Sequence, residues 1–416
     1  MMTSLRPKLV ILGSGFGSFS LLKDIDTKRY SVTVISPRNH FLFTPLLPST
    51  TVGTVEFRSI IEPIRIARRG IRMYQAWCEG IDTERQVVKC RGAFKGSDFE
   101  VEYDTLVIGV GGISNTFGIP GVEEHAVFLK ELSDARAIRQ KIIENFERAC
   151  KPNRPEGDLK QLLHFVVVGG GPTGVEFAAE MHDFVTEDLE QWFPDLMPYV
   201  RITLLEATDK ILMNFHQKLG EYALRRFRRQ RINVRLNSFV TQIEEDDVAY
   251  EVSMKDDASI HCGLVVWSTG IGPTRLVRGL DFPKSENGRL VTDETFLVKG
   301  RSNVYAIGDC ATIEGQDLPA TAQVAQQVGG HLAKTLNSLA KGGEPYEFQY
   351  KHKGMLAYVG SHRALADMGE IQTAGVTTWF FWRSAYLTKL VSWKNKFLVF
   401  TDWLKSSIFG RDISRF

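Results

Sequence analysis

Apolar residues in this chain gather into continuous runs of strand length, and two of them end in glycine-rich turns followed by stretches of helical character. Lys8-Leu9-Val10-Ile11-Leu12 runs into Gly13-Ser14-Gly15-Phe16-Gly17-Ser18. Phe165-Val166-Val167-Val168 runs into Gly169-Gly170-Gly171-Pro172-Thr173-Gly174. Shorter apolar runs lie at Ser31–Ile35, Leu106–Ile108, Ile202–Leu205, Leu264–Trp267 and Val304–Ile307. A strand, a glycine turn and a helix in that order predict a dinucleotide site. The glycines let the backbone approach a pyrophosphate, and the helix N-terminus stabilises its charge. One such turn is weak evidence; two imply two dinucleotides on one protein, and the usual reason to hold two is to pass electrons between them.

The strand after each turn separates the two sites. An NAD site carries an acid at the end of its second strand, where it accepts from the ribose hydroxyls. Glu206 ends the run Val200–Leu205, further along than the usual spacing, with a helix and loop through Asp183 to Tyr199 taking up the extra length. No arginine follows closely, so the second site is expected to prefer NADH to NADPH. The first site has Ser36-Pro37-Arg38 at that place, with no carboxylate, and Ser18 where a third small residue is needed. FAD is its better occupant. A strand ending in Gly308-Asp309-Cys310 adds to the FAD reading, because an aspartate there can accept from ribityl hydroxyls.

The order of these segments predicts an α/β fold in which one Rossmann-like domain is inserted into another. Residues 1–150 and 285–345 form the FAD-binding domain, 151–284 the NADH-binding domain, and 346–416 a C-terminal segment. Cys150–Lys160, with Pro152, Pro155 and Gly157, reads as a linker. A length of 416 residues accommodates this, and a net charge of +2 gives no reason to expect nucleic acid. The five cysteines are scattered without a Cys-x-x-Cys pair, which argues against a disulfide framework, an iron–sulfur cluster or a zinc site; no metal is expected. The first strand starts near Lys8, so no targeting leader is visible, and no apolar run is long enough to span a bilayer.

The C-terminal segment differs in composition. It holds four of the seven tryptophans: Trp379, Trp382, Trp393 and Trp403. Trp382, Tyr386, Leu390 and Trp393 recur at helical spacing, as do Phe397, Phe400 and Leu404. Arg383, Lys389, Lys394, Lys396, Lys405, Arg411 and Arg415 are interleaved against Asp402 and Asp412. Basic, tryptophan-rich amphipathic helices lie flat in a membrane interface. A homodimer interface wants the same stripe, so dimerisation is expected alongside membrane contact.

Five stretches, Ser36–Pro48, Gly169–Glu180, Ala306–Cys310, Ala322–Gln327 and Tyr350–Gly360, resemble the type II NADH dehydrogenases, the single-subunit NADH:quinone oxidoreductases, especially the fungal mitochondrial ones. The resemblance implies the two-dinucleotide-binding-domain flavoprotein fold with a membrane-binding C-terminal part. It implies hydride transfer from NADH to FAD, then two electrons to a membrane ubiquinone without proton pumping, on the mitochondrial inner membrane. Residues expected around FAD are Gly13, Gly15, Phe16, Gly17, Ser36, Pro37, Arg38, Thr44, Pro45, Leu46, Gly111, Gly308, Asp309, Ala322 and Gln323. Around NADH they are Gly169, Gly171, Pro172, Thr173, Gly174, Glu176, Glu206, Thr269 and Gly270.

By the same resemblance Glu176 is placed near flavin and nicotinamide, with positioning or a share in proton handling as its role; a plain first-turn carboxylate is the alternative. Gln323 and Gln327, at i and i+4, match the quinone-site motif, and Gln326 stands where close relatives carry histidine. Lys353 could stabilise an anionic reduced flavin or simply be solvated. Cys310 resembles an inert buried thiol. A disulfide reductase needs a cysteine pair beside the flavin, and Phe41–Ile60 has none. A flavoprotein like apoptosis-inducing factor and an NADH-sensing interaction protein remain as alternatives.

Overall fold

The computed structural model describes residues 6–96, 98–316 and 318–414. Arg415, counted above in the basic set, lies outside the described residues. The helices that bear on the sites are α1 (Phe16–Asp24), α2 (Pro172–Phe184), α3 (Ala322–Leu339), α4 (Val376–Lys389) and α5 (Trp393–Phe409).

The chain divides into two units. The first takes the described chain up to Leu42, Ile61–Ile113 and Ile271–His352. Its sheet runs in the order Val304–Ala306, Thr105–Ile108, Lys8–Leu12, Ser31–Ser36, Arg72–Asp82, Val87–Gly92, Asp98–Glu102. The first five are parallel, and the first four of them are buried and for that reason read as apolar runs. The last two join antiparallel, as an extension of the long Arg72–Asp82 strand. Strand order reverses on either side of Lys8–Leu12, so the first glycine turn sits at the topological switch point, where open α/β sheets bind ligands.

The second unit takes Phe43–Ile60, Ser114–Gly270 and the described chain from Lys353 onward. Its parallel sheet has the order Val127–Phe128, Leu264–Trp267, His164–Val168, Arg201–Leu205, Asn233–Arg235. Again the glycine turn follows the strand at the reversal of order. An antiparallel meander, Val240–Glu245, Tyr250–Met254 and Ser259–Cys262, closes a separate apolar cluster around Val252, Cys262 and Trp267. A second three-stranded antiparallel sheet, Met355–Tyr358, Ala364–Asp367 and Gln372–Gly375, leads into α4 and α5.

Some local expectations change. Part of the stretch read as a linker is helical: Pro155 is the N-cap of a helix over Glu156–Leu162. Proline suits a helix start as well as a loop, because the first turn's N–H groups have no intrahelical partner anyway. The extra length before Glu206 is a π-helical turn at Val185–Leu189 followed by a 3-10 helix at Pro194–Tyr199.

Candidate functional site

The two glycine turns have the same division of labour. Gly13 has φ +99°, and a Cβ there would run into the carbonyl of Gly109. Gly15 has nothing within 4 Å of where its Cβ would stand. Ser18 is buried, and its hydroxyl donates to Gly109 O at 3.4 Å, so serine serves as the third small residue of the turn. Gly17 faces Gly329 of α3, where a Cβ would meet the Gly17 carbonyl; this contact lets α1 and α3 pack closely. In the second unit Gly169 has φ +111° and backs onto Thr269, Gly171 is open, and a Cβ on Gly174 would strike Gly169 O. In each turn the outer positions are walled in and the middle glycine faces open space, which fits a pyrophosphate laid across the turn onto the helix N-terminus.

The strand ends distinguish the two. Glu206 reaches the second turn despite its long spacing. Its carboxylate accepts from Gly170 N at 2.7 Å and from the N and Oγ1 of Thr208 at 2.8 Å. Arg235, on the neighbouring strand, gives its carbonyl to Glu206 N at 2.9 Å, and its guanidinium lies 3.6 Å from Asp256. In the first turn Ser36 donates to Ser14 Oγ at 3.1 Å, and the Arg38 guanidinium donates to Ser14 at 3.3 Å. A cation therefore lies against the FAD-type turn and a carboxylate against the NAD-type turn. Phe16 stands edge-on to Phe41 at 4.9 Å, and Pro37 O accepts from Gln75.

Elsewhere in the first unit, Gly308 (φ +75°) and Asp309 form a short 3-10 turn before Cys310. Burial pushes the Cys310 thiol up to about 11, and it lies against the carbonyls of Ile307 and Ile108; it is a packed, unreactive group. Thr321 caps α3, placing Ala322 and Gln323 in its first turn. Gln323 accepts from the Tyr350 hydroxyl at 3.2 Å. Gln327 makes a two-way clamp with the Lys351 backbone: its Nε2 donates to Lys351 O at 2.9 Å and its Oε1 accepts from Lys351 N at 3.1 Å. This amide orders the 350–352 segment. Gly111 (φ +65°) has open space around it. Thr44, Pro45 and Leu46 form a 3-10 helix grouped with the second unit, as is Lys353, which is exposed. Gly270 (φ +71°) packs against Phe117 in that unit.

The most distinctive chemistry lies along α2 and was only partly visible from sequence. Glu176 is buried; its Oε1 accepts from Tyr358 N at 3.0 Å. Tyr358, Trp382 and Tyr386 pack in series around it as tilted ring pairs, at separations of 5.6 and 4.8 Å. Burial lifts its carboxyl to about 8, and the nearby Glu180 adds to the lift, against the Tyr358 N–H and the Trp382 indole. Burial therefore favours the protonated form of Glu176 over its carboxylate. One turn on, Glu180 accepts from Ser49 and Thr54 hydroxyls, each at 2.7 Å. Asp183 accepts from Tyr358 Oη at 2.6 Å and from Ser361 N at 3.0 Å. Acids at i, i+4 and i+7 on an otherwise apolar helix were the available signal; the rest of the network comes from distant segments.

The C-terminal helices correct the sequence reading. Trp379, Trp382, Tyr386, Leu390 and Trp403 point inward, and among the four tryptophans only Trp393 is exposed. Arg383 stacks on Trp379 and Trp403, at 4.0 and 4.7 Å, and Arg411 is buried against Asp188 (2.7 Å) and Glu187 (2.9 Å). Neither belongs to an outward basic face. The outward apolar face is carried by Phe380 and Phe381 of α4 and by Trp393, Phe397, Phe400, Leu404 and Ile408 of α5. Among the described residues no helix is long and apolar enough to cross a membrane.

Residues 7–329 match the pyridine nucleotide-disulphide oxidoreductase family, and residues 352–412 match the NDH2 C-terminal domain. A probable NADH dehydrogenase of Dictyostelium discoideum is 48% identical, over 98% of this chain and 91% of its own length. An external alternative NADH-ubiquinone oxidoreductase, mitochondrial, of Yarrowia lipolytica is 40% identical, over 99% of this chain and 81% of its own. The structure of NDH2 from Plasmodium falciparum in complex with NADH superposes with a TM-score of 0.93 at 29% identity, covering 99% of this chain and all of that one.

Proposed function

Since this chain belongs to the pyridine nucleotide-disulphide oxidoreductase family and carries the NDH2 C-terminal domain that marks its type II NADH dehydrogenases, we propose that it is an FAD-dependent NADH:ubiquinone oxidoreductase. The observation that carries the proposal is the pair of like-built glycine turns, one faced by Arg38 and the other by Glu206. Neither alternative from the sequence accounts for this pair together with an NDH2 C-terminal domain.

FAD, when bound, supplies the two-electron relay between nicotinamide and quinone. The protein's own residues do the rest. The turn at Gly13–Ser18, Arg38 and the Gly308–Asp309 turn hold FAD; Gly169–Gly174 and Glu206 hold NADH. Glu206 keeps one unfilled lone pair, on Oε2, for a ribose hydroxyl, and its charge opposes a 2′-phosphate. The overall reaction, NADH plus a proton plus quinone giving NAD+ and quinol, consumes one proton per turnover beyond the hydride. Glu176 is suited to carry it, because its carboxyl holds a proton at pH 7 and releases it near the working pH. Gln323 and Tyr350 offer uncharged hydrogen-bonding groups for quinone oxygens, and Gln327 orders the segment beside them.

The outward apolar face of α4 and α5 supports peripheral attachment to a membrane, which is where ubiquinone is dissolved. The Yarrowia lipolytica relative is mitochondrial by name, and we place this protein on the mitochondrial inner membrane, with a homodimer formed alongside.

Steady-state oxidation of NADH and NADPH, with and without a short-chain ubiquinone, tests this reading. Fast, NADH-selective, quinone-dependent turnover is expected; flavin reduced by NADH and left reduced by every quinone would sink it. Glu206→Ala should raise KM for NADH on the order of tenfold, the worth of one or two charge-assisted hydrogen bonds; an unchanged KM would remove Glu206 from the site. Glu176→Gln should slow flavin reoxidation by quinone by about a hundredfold or more while leaving reduction by NADH nearly intact. Sign matters for pH: a donor with a carboxyl at about 8 works below that pH and fails above it, so wild-type turnover should decline on the alkaline side.

A further inference from the structure

Glu176 and Glu180 lie one helical turn apart on the same face of α2, both buried, in different surroundings. Glu176 has a backbone N–H and aromatic walls but no cation in contact. Glu180 has hydroxyl donors on both oxygens, Ser49 on Oε1 and Thr54 on Oε2. Thr54 is itself a bridge: its Oγ1 accepts from Arg411 Nε at 2.9 Å while donating to Glu180. Arg411 arrives from the C-terminal end of the chain, just past α5 at Gly410, where φ is +75° and a side chain would strike Asp188.

We propose that Glu180 is a positioning residue for the proton-carrying Glu176: held as the anion by the Thr54–Arg411 bridge, it keeps the proton of the pair on Glu176.

The proposal rests on the reading of Glu176 given above. Two carboxyls one turn apart in a dry interior do not both ionise readily, and the one with the better donors and the nearer cation gives up its proton first. Here the asymmetry is built from covalently distant parts: Ser49 and Thr54 from one segment, Arg411 from another. Burial, with Asp183 adding to it, leaves Glu180 above the usual carboxylate range, and Arg411, Ser49 and Thr54 oppose that lift. Burial alone would lower the Arg411 guanidinium, and Glu180, Asp188 and Glu187 hold it above its usual range. Tyr358, from the strand Met355–Tyr358, donates to Asp183, and burial with that contact holds it well above its usual range. Asp183 also lies 3.3 Å from His182 Nδ1. From α4, Tyr386 is neutral, raised by burial and by Glu176, and Arg383 lies on the Glu180 side, lowered by burial to about 10.

The test is the pH profile of flavin reoxidation by a short-chain ubiquinone, in stopped flow on the FAD-loaded enzyme. Glu180→Gln should move the alkaline limb to lower pH by on the order of one unit, because removing a neighbouring negative charge makes Glu176 more acidic. Glu180→Asp should restore the wild-type limb. Arg411→Gln should move it the same way, because Glu180 then takes up a proton, and should add nothing in the Glu180→Gln background. A rate that falls equally at every pH with the limb unmoved in both Glu180→Gln and Arg411→Gln would overturn the proposal. If Glu180→Gln fails to retain FAD, Arg411→Gln against Arg411→Lys decides: the lysine variant should keep the limb and the glutamine variant should not. Glu176→Gln separates the two levels. A limb that persists there belongs to another group and removes the proton-donor reading itself; a limb that vanishes there but ignores Glu180 removes only this inference.

Discussion

Gly15→Leu is expected to give a folded protein that retains no FAD. Gly15 has φ −80° and ψ −170°, a conformation any residue adopts, and its Cβ would point into open space. Leucine therefore costs the apo fold little. Its four side-chain carbons would instead stand where a pyrophosphate must lie against the helix N-terminus. The neighbouring Gly13→Leu should lose FAD for a different reason. Its φ of +99° and the Gly109 wall leave no room for a side chain, so the fold itself should be destabilised by several kcal/mol. Absorbance of bound flavin per protein, with thermal unfolding of each variant, separates the two outcomes. Gly171→Leu is the matching experiment in the second unit: φ is −72° and the Cβ position is open, so flavin should be retained but no longer reduced by NADH. Full flavin content in Gly15→Leu would mean that FAD is not bound at the first turn. Loss of flavin in Gly171→Leu with NADH binding intact would reverse the two sites.

These turns were legible in the sequence because their function is local. The glycine spacing, the strand before and the helix after lie within a dozen residues, and the structure adds only which wall each glycine meets. Glu206 was legible because a strand end is a fixed place relative to the preceding turn, whatever length of helix intervenes. Of the carboxyl pair, Glu176 was named only through the family resemblance, and Glu180 was given no role. A glutamate in a helix reads as a solvated face unless its partners are known, and here those partners are Ser49, Thr54, Tyr358, Trp382 and Arg411, scattered across the chain. In the C-terminal helices the outward stripe Phe397, Phe400 and Leu404 was legible, whereas Trp382, Tyr386 and Leu390 face inward and the spacing carried on to Trp393 crosses the break between α4 and α5. Both faces of α4 carry aromatic residues, so spacing shows that stripes exist there without showing which one is covered. Arg383 and Arg411 were misassigned to the outside for a related reason: an arginine can be buried when aromatic faces or paired carboxylates receive its planar group.

The corrected faces give the second large effect. One side of α5 is seated by Asn395, which donates to Ser59 O at 2.8 Å, with Val399 and Trp403; Asp402 accepts from Glu56 N at 3.0 Å. The opposite side presents Trp393, Phe397, Phe400, Leu404 and Ile408, with Trp393 at 85% exposure. Lys394 and Lys405 flank this side, and the Lys396 ammonium lies 4.9 Å from the Trp393 ring. A helix of 17 residues with one polar, docked side cannot cross a bilayer, but it can lie along one. Burying three large apolar side chains in the interface is worth roughly 4 kcal/mol, so Phe397→Glu/Phe400→Glu/Leu404→Glu should weaken partition onto anionic vesicles by about a thousandfold. Turnover with a short-chain, water-soluble ubiquinone should be nearly unchanged, because none of the three side chains faces the seated side. Deleting the whole segment from Trp379 onward is the less informative experiment. It would also remove Trp382, Tyr386 and Arg411, and with them the walls of Glu176 and the counter-charge of Glu180. Vesicle flotation and sedimentation of the triple variant decide between the uses of this face. Flotation lost with oligomeric mass kept assigns the face to lipid. Flotation kept with the mass halved assigns it to a second copy of the chain.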